Sequence, residues 1–267
     1  MTPNENPSPP KNLKIISWNV NGIRACIKKG LRDFIAEQKP DVLCLQETKA
    51  LPEQVDEEER SLGFVSNFWR SAQRKGYSGV ATFSGLQFKE AKPWEQYEDY
   101  DKERRVVITH IHDFILYNIY FPNGGSGQER HFFKQKFLRN LNEHLKAELS
   151  EGKKIIVVGD YNVARSSIDV FDPIRLASES GFLPEERSWF DSFLSLGFVD
   201  TFRQVHGNVK DRYTWWNYRE LARLNNRGWR IDYICVSNNL ADRIVNAEIF
   251  DKTEGSDHCP IMVELGL

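Results

Sequence analysis

The chain has 267 residues, with 36 Lys and Arg against 38 Asp and Glu, a formal charge of −2. A hydrophobic fraction of 40% with 12% aromatics excludes a mostly disordered protein, and the length suits one well-buried domain. No apolar run approaches the ~20 residues of a membrane span, and the near-neutral charge excludes a histone-like coat for nucleic acid while allowing an enzyme with one basic face.

In chain order, residues 1–12 (MTPNENPSPPKN) are rich in Pro and Asn and predict a disordered tail, leaving 13–267 as a single domain. The opening has no basic segment followed by an apolar one, so no secretory leader is expected. Strand-length runs with β-branched residues follow at 13–20, 41–47, 77–83, 104–112, 114–121, 153–160, 198–202, 232–236, 243–250 and 259–265. The fourth and fifth read as a hairpin. Weak helical patterns lie at 31–38 and 184–196. A clear one runs from Gln128 to Leu149, where Phe133, Phe137, Leu141, Leu145 and Leu149 are spaced by four. Ser126 and Glu129 have capping-box spacing at its start, and Gly152 ends it. So many strands overfill one open sheet; the expected fold is α/β, two packed mixed sheets flanked by helices. Cys26, Cys44, Cys235 and Cys259 lack metal-site spacing, and the expected compartment is the reducing cytosol.

The polar residues at strand ends form a pattern. Asn19 and Asn21 follow the first run, Glu47 the second, and Asp160 and Asn162 the sixth, whereas Asp232 precedes the eighth and Asp257 and His258 precede the last. Antiparallel placement of the two groups would gather all of them at one sheet edge. Any one alone is an ordinary turn residue or surface charge: Glu47 could simply pair with Lys49. Together, carboxylates and amides with one histidine make a hard, oxygen-rich site suited to Mg²⁺, with Mn²⁺ as the alternative. Metal-assisted phosphoester hydrolysis is the matching chemistry.

A second group concerns substrate. Residues 213–230 interleave Trp215, Trp216, Tyr218 and Trp229 with Arg219, Arg223, Arg227 and Arg230, so rings could stack on sugars or bases while guanidiniums hold phosphates. Trp216 reads as core. The stretch Arg74, Lys75, Gly76, Tyr77 could let backbone approach a phosphate, although glycines more often mark turns. The acidic run 56–59 reads as a solvated face turned away from DNA.

Seven motifs in order, W-N-V-N-G-I-R (18–24), L-Q-E-T-K (45–49), G-Y-S-G-V (76–80), Y-F-P-N-G (120–124), G-D-Y-N-V-A (159–164), G-W-R-I-D-Y (228–233) and S-D-H-C-P-I (256–261), resemble the exonuclease III-type apurinic/apyrimidinic (AP) endonucleases of base excision repair. The resemblance implies a four-layered α/β sandwich and metal-dependent cleavage 5′ to abasic sites, with 3′-phosphodiesterase and 3′→5′ exonuclease activity. By motif position, Glu47 would bind the metal, with Asn19, Asp257, Asp160 and Asn162 in or near its coordination. Asp160 would activate the attacking water and Asn162 position it. His258, paired with Asp232, and Tyr120 would contact the scissile phosphate. Arg24, Arg74, Lys75, Tyr77, Asn123, Trp215, Arg219 and Trp229 would contact DNA. The implied partner is duplex DNA with abasic sites or blocked 3′ ends, met by a monomer in the cytoplasm, or at the nucleoid in a prokaryote, without membrane attachment.

Two departures stand out. Asn21 occupies a position where many members carry Asp. Ser126 stands where vertebrate enzymes insert an arginine into DNA, which leaves Arg219, at the position of their methionine, as the expected minor-groove wedge. Two alternatives remain at this level: a phosphodiesterase of the wider fold acting on inositol polyphosphates or sphingolipids, and a catalytically silent DNA-binding module.

Overall fold

The computed structural model describes residues 12–94, 102–219 and 221–267. Residues 1–11 of the expected tail lie outside these; Asn12 does not belong to a tail, because it pairs with Gly266 as the first residue of a strand. Among the described residues, two six-stranded sheets form. One contains β1 (Asn12–Asn19), β2 (Val42–Gln46), β3 (Ser66–Arg70), β4 (Val80–Ser84), β11 (Ile244–Ile249) and β12 (Ile261–Gly266), in the order β11-β12-β1-β2-β4-β3. The other contains β5 (Glu90–Pro93), β6 (Val106–Ile111), β7 (Phe114–Tyr120), β8 (Ile155–Asp160), β9 (Phe198–Asp200) and β10 (Asp232–Ser237), ordered β5-β6-β7-β8-β10-β9. β1 with β2 and β7 with β8 are parallel, and the remaining pairs are antiparallel.

Alternation along the strands builds the layers. In β1, Leu13 and Ile15, with Val42 of neighbouring β2, face the opposite sheet, where they join Ile156, Val158 and Ile234. Ile16 and Trp18 face outward onto α1 (Ile23–Lys28) and α2 (Leu31–Gln38), through Ile23, Leu31 and Phe34. On the far side, Ile155, Val157 and Tyr233 pack against α3 (Gln128–Ser150) and α4 (Pro184–Ser195). Helices, sheet, sheet, helices is the four-layered sandwich.

Local chemistry explains the differences from expectation. Ser126 and Glu129 do not form the capping box: α3 starts after Gly127, whose φ of 100° makes the entry turn, and no side chain caps it. The run 198–202 is strand only to Asp200. That residue's carboxylate accepts from Arg203 N and starts a further short helix, α5 (Thr201–His206), at Thr201. The run at 77–83 becomes strand at Val80, because Ser78 and Gly79 have φ of 49° and 90°. Gly159 sits in β8 with φ 140°, and a Cβ there would lie 1.9 Å from the Ile119 carbonyl oxygen. Only glycine fits this approach of β7 to β8. No described helix is long and apolar enough to cross a membrane.

Candidate active site

The strand directions bring the scattered polar residues to one edge. β8 ends at Asp160, whose Cα partner on antiparallel β10 is the first residue, Asp232, while Tyr120 closes parallel β7 on the other side. In the facing sheet, β1 delivers Asn19, β2 delivers Glu47 just past its end, and the turn before β12 delivers Asp257 and His258. A cavity of about 480 Å³ opens there.

Asn19 joins the two sheets: its amide nitrogen donates to Glu47 Oε1 at 3.0 Å and to Asp160 Oδ2 at 2.9 Å. Its oxygen accepts from Asn21 N at 3.0 Å. Asp160 is held from behind by Asn162, through backbone N to Oδ1 at 2.9 Å and side-chain Nδ2 to Oδ2 at 3.2 Å. Nδ2 of Asn162 also donates to the Phe121 carbonyl, and its oxygen accepts from Asn123 Nδ2 at 2.9 Å. His258 Nδ1 meets Asp232 Oδ2 at 2.9 Å, and Nε2 faces Asp160 Oδ2 at 3.8 Å. Thr214 Oγ1 donates to the same Asp232 oxygen. On the rim, Asp257 accepts from Asn21 Nδ2 at 2.8 Å and Trp215 Nε1 at 3.0 Å. Lys49 bonds Glu47 Oε2 at 2.7 Å and also the Asn21 side-chain oxygen.

Residues 16–258 match the Endonuclease/Exonuclease/phosphatase family. The chain belongs to this family. The exodeoxyribonuclease of Bacillus subtilis (strain 168) is 38% identical over 93% of the chain and 98% of its own length. The DNA repair nuclease APEX1 of Danio rerio is 35% identical over 96% and 83%. An AP endonuclease from Archaeoglobus fulgidus superposes with a TM-score of 0.85 at 30% identity, covering 96% of this chain and all of that one. The 3′ phosphatase NExo from Neisseria, bound to product DNA hairpin, gives 0.88 at 27% identity over 96% and 100%.

The electrostatics of this endonuclease/exonuclease/phosphatase site follow from burial and pairing. Burial, helped by Asp232 and Glu47, pushes the Asp160 carboxyl up to about 7 against the opposing pull of His258. Burial alone would lower His258, but Asp232 and Asp160 override it and raise the imidazole to about 10. At Glu47 burial is outweighed by Lys49 and Asn19, and at Asp257 by His258, Trp215 and Asn21, so both carboxyls fall below their ordinary values. Burial drives the Tyr120 phenol well above its ordinary value, so it remains a proton donor. Asn21, Glu47, Lys49 and Asn162 all have φ between 44° and 51°. Such left-handed backbone costs ~1–3 kcal/mol per residue and concentrates where surrounding contacts over-determine it.

Not every sequence candidate reaches the cleft. Glu47, Tyr120, Asn123, Asp160, Asn162, Trp215, Arg219, Trp229, Asp257 and His258 line the cavity. Asn19 and Asp232 are buried behind that lining. Arg24, Arg74 and Lys75 are exposed outside it. Tyr77 is tied instead to Arg105 Nη2 at 3.0 Å. Two of the candidate phosphate-holding arginines do structural work. Arg230 is 1% exposed between Asp169 and Asp200, and Arg223 donates to the carbonyls of Asp251, Thr253 and Ser256. Trp216 is core, as expected. The motifs had hidden the supporting parts: Thr214 behind Asp232, and Ser256, whose hydroxyl donates to the Asn19 carbonyl at 2.8 Å. Phe171 and Leu176, which no motif marks, add an apolar wall together with Ile231.

The buried acidic–histidine cluster can hold a metal ion. One donor atom each from Asp160, Asp232 and His258 lies within 4.8 Å of the others, the one such group among the described residues.

Proposed function

We infer that this DNA-repair nuclease hydrolyses the phosphodiester bond 5′ to abasic sites in duplex DNA, and that it also clears blocked 3′ ends by 3′-phosphodiesterase and 3′→5′ exonuclease action. The observation that carries this reading is the pairing of Asp160 and His258. A buried carboxyl near neutrality faces a charged imidazole at 3.8 Å, on the floor of a cavity walled by Trp215 and Trp229.

The residues divide the work. Asp160, with its proton affinity near neutrality, takes a proton from the attacking water, and bonds from Asn162 and Asn19 fix its orientation. His258, kept charged by Asp232, donates to a phosphoryl oxygen as negative charge builds, and the neutral Tyr120 phenol donates to the same phosphate. Asn123 and the aromatic wall hold the sugar and backbone, and Arg219 at the mouth serves as the wedge. The donor set suits a hard dication. Glu47 and Asp257 present ionised oxygens to the cavity, beside the Asp160 carboxylate of the buried cluster. Glu47, with Asn19, Asp257, Asp160 and Asn162, would hold Mg²⁺ or Mn²⁺, which when bound supplies charge for the phosphoryl and leaving oxygens. The single domain, which begins with β1 at Asn12, is read as a monomer acting in the cytoplasm or at the nucleoid.

The test is gel-resolved cleavage of a duplex carrying one abasic analogue, with Mg²⁺, with EDTA, and with Asp160→Asn. A Mg²⁺-dependent nick immediately 5′ to the lesion, lowered by at least ~10²-fold in the variant, is expected. Tight binding without a nick would support the silent module. Neither binding nor nick would point to a soluble phosphoester substrate.

A further inference from the structure

A fully buried ion pair lies behind the cleft and takes no part in the reaction described above. Lys134 of α3 and Glu186 of α4 are both 0% exposed, with Nζ to Oε1 at 2.5 Å. A buried pair of this kind is generally no more stabilising than two well-packed apolar side chains. Lys134 even sits on the apolar stripe of α3 with Leu138, Leu141 and Leu145, where leucine would serve packing alone. What the pair does that leucine could not is make directed hydrogen bonds.

Those bonds converge on one place. Lys134 Nζ donates to the Asn162 carbonyl at 2.8 Å. Glu186 Oε2 accepts from the backbone N–H of Gly181 at 2.5 Å and of Leu183 at 3.1 Å. Ser180 Oγ donates to its other oxygen at 3.3 Å. The Gly181 carbonyl in turn accepts from Ala164 N at 2.7 Å, and a Cβ on Gly181 would lie 3.2 Å from the Asn162 oxygen. One polar knot therefore pins the loop that lines the cavity to the segment carrying Asn162. That residue needs pinning, since its φ is 51° and two of the three hydrogen bonds that aim the Asp160 carboxylate originate from it, the third coming from Asn19.

We propose that Lys134 and Glu186 are positioning residues that hold Asn162 in its left-handed conformation and thereby aim Asp160. Lys134 fixes the 162–163 peptide through its carbonyl and so limits ψ of Asn162; if Asn162 left this conformation, its N–H and carboxamide could no longer both reach the carboxylate. The inference rests on the nuclease reading, so wild-type protein must first nick the abasic duplex; failure there counts against that reading.

The test compares two neutral pairs that differ in one donor, Lys134→Gln with Glu186→Gln and Lys134→Met with Glu186→Gln. Both are assayed on the abasic duplex well below their melting temperatures. A glutamine amide can still donate to the Asn162 carbonyl, whereas methionine cannot. The Met variant is expected to show a kcat about 10- to 100-fold below the Gln variant, with KM unchanged and Tm within a few degrees. Equal kcat values would overturn the proposal. The side-chain amide resonances of Asn162 give a reading independent of rate. Altered shifts and faster hydrogen exchange in the Met variant support the proposal, and wild-type values overturn it.

Discussion

Asp160 and His258 are one electrostatic unit, and their partner Asp232 sets its charge state. His258 is raised from 6.5 to about 10 in the folded chain, so its charge stabilises the fold fully below pH 6.5, and that contribution is lost as pH rises through about 10. Asp232→Asn should return the imidazole toward its ordinary value. In a ring-proton NMR titration, wild-type His258 stays charged to about pH 10 while the variant titrates units lower; coincident curves would remove Asp232 from this role. Asn21 carries no charge, and its amide spans Asp257 and Lys49. Arg219 is exposed at the cavity mouth, its backbone N–H bound to the Asn217 side chain. Arg219→Ala should weaken binding to abasic duplex roughly tenfold and to intact duplex much less. Equal losses on both in a fluorescence titration would assign Arg219 to ordinary backbone contact.

Elements carry the site because strand ends are rigid and their directions are fixed. The Asp160 position depends on β7 and β8 approaching through Gly159, where a Cβ would meet Ile119 O at 1.9 Å. Gly159→Ala should therefore cost about 3 kcal/mol or more, read as a lowered urea midpoint, and should reduce cleavage as well. A midpoint within 0.3 M of wild type would show that the strands give way instead. The helices were unevenly legible. The 3.6-residue pattern of α3 is plain, yet Lys134 lies in phase with its buried face, at 134, 138, 141 and 145, and that was the available sign of a buried charge. α5 was missed because Phe198, Val199 and Phe202 look like a strand, and only the Asp200 cap reveals the change of direction. β3 and β5 are short edge strands with polar residues, weak signals in any sequence.

At the scale of the whole molecule, the two sheets share one buried interface, with Leu13, Val42, Ile156 and Ile234 among its residues. Heat should therefore unfold the chain in one cooperative transition, coincident by near- and far-ultraviolet circular dichroism, and light scattering should return a single chain's mass. Two separated transitions would split the domain. EDTA should abolish cleavage while leaving abasic-duplex binding within about tenfold, since aromatic wall and amides stay in place. By itself, the sequence determined the layered α/β architecture, the seven motifs and the identity of the polar residues at strand ends, because period-2 alternation and turn residues are local properties. Only the tertiary structure decided which of the many charges work at the cleft. It buried Arg230 among Asp169 and Asp200, turned Arg223 onto carbonyls, tied Tyr77 to Arg105 and set Lys134 behind Asn162. A side chain's charge is written in the sequence, but its partner, its burial and hence its proton affinity depend on residues far along the chain, which only packing brings together.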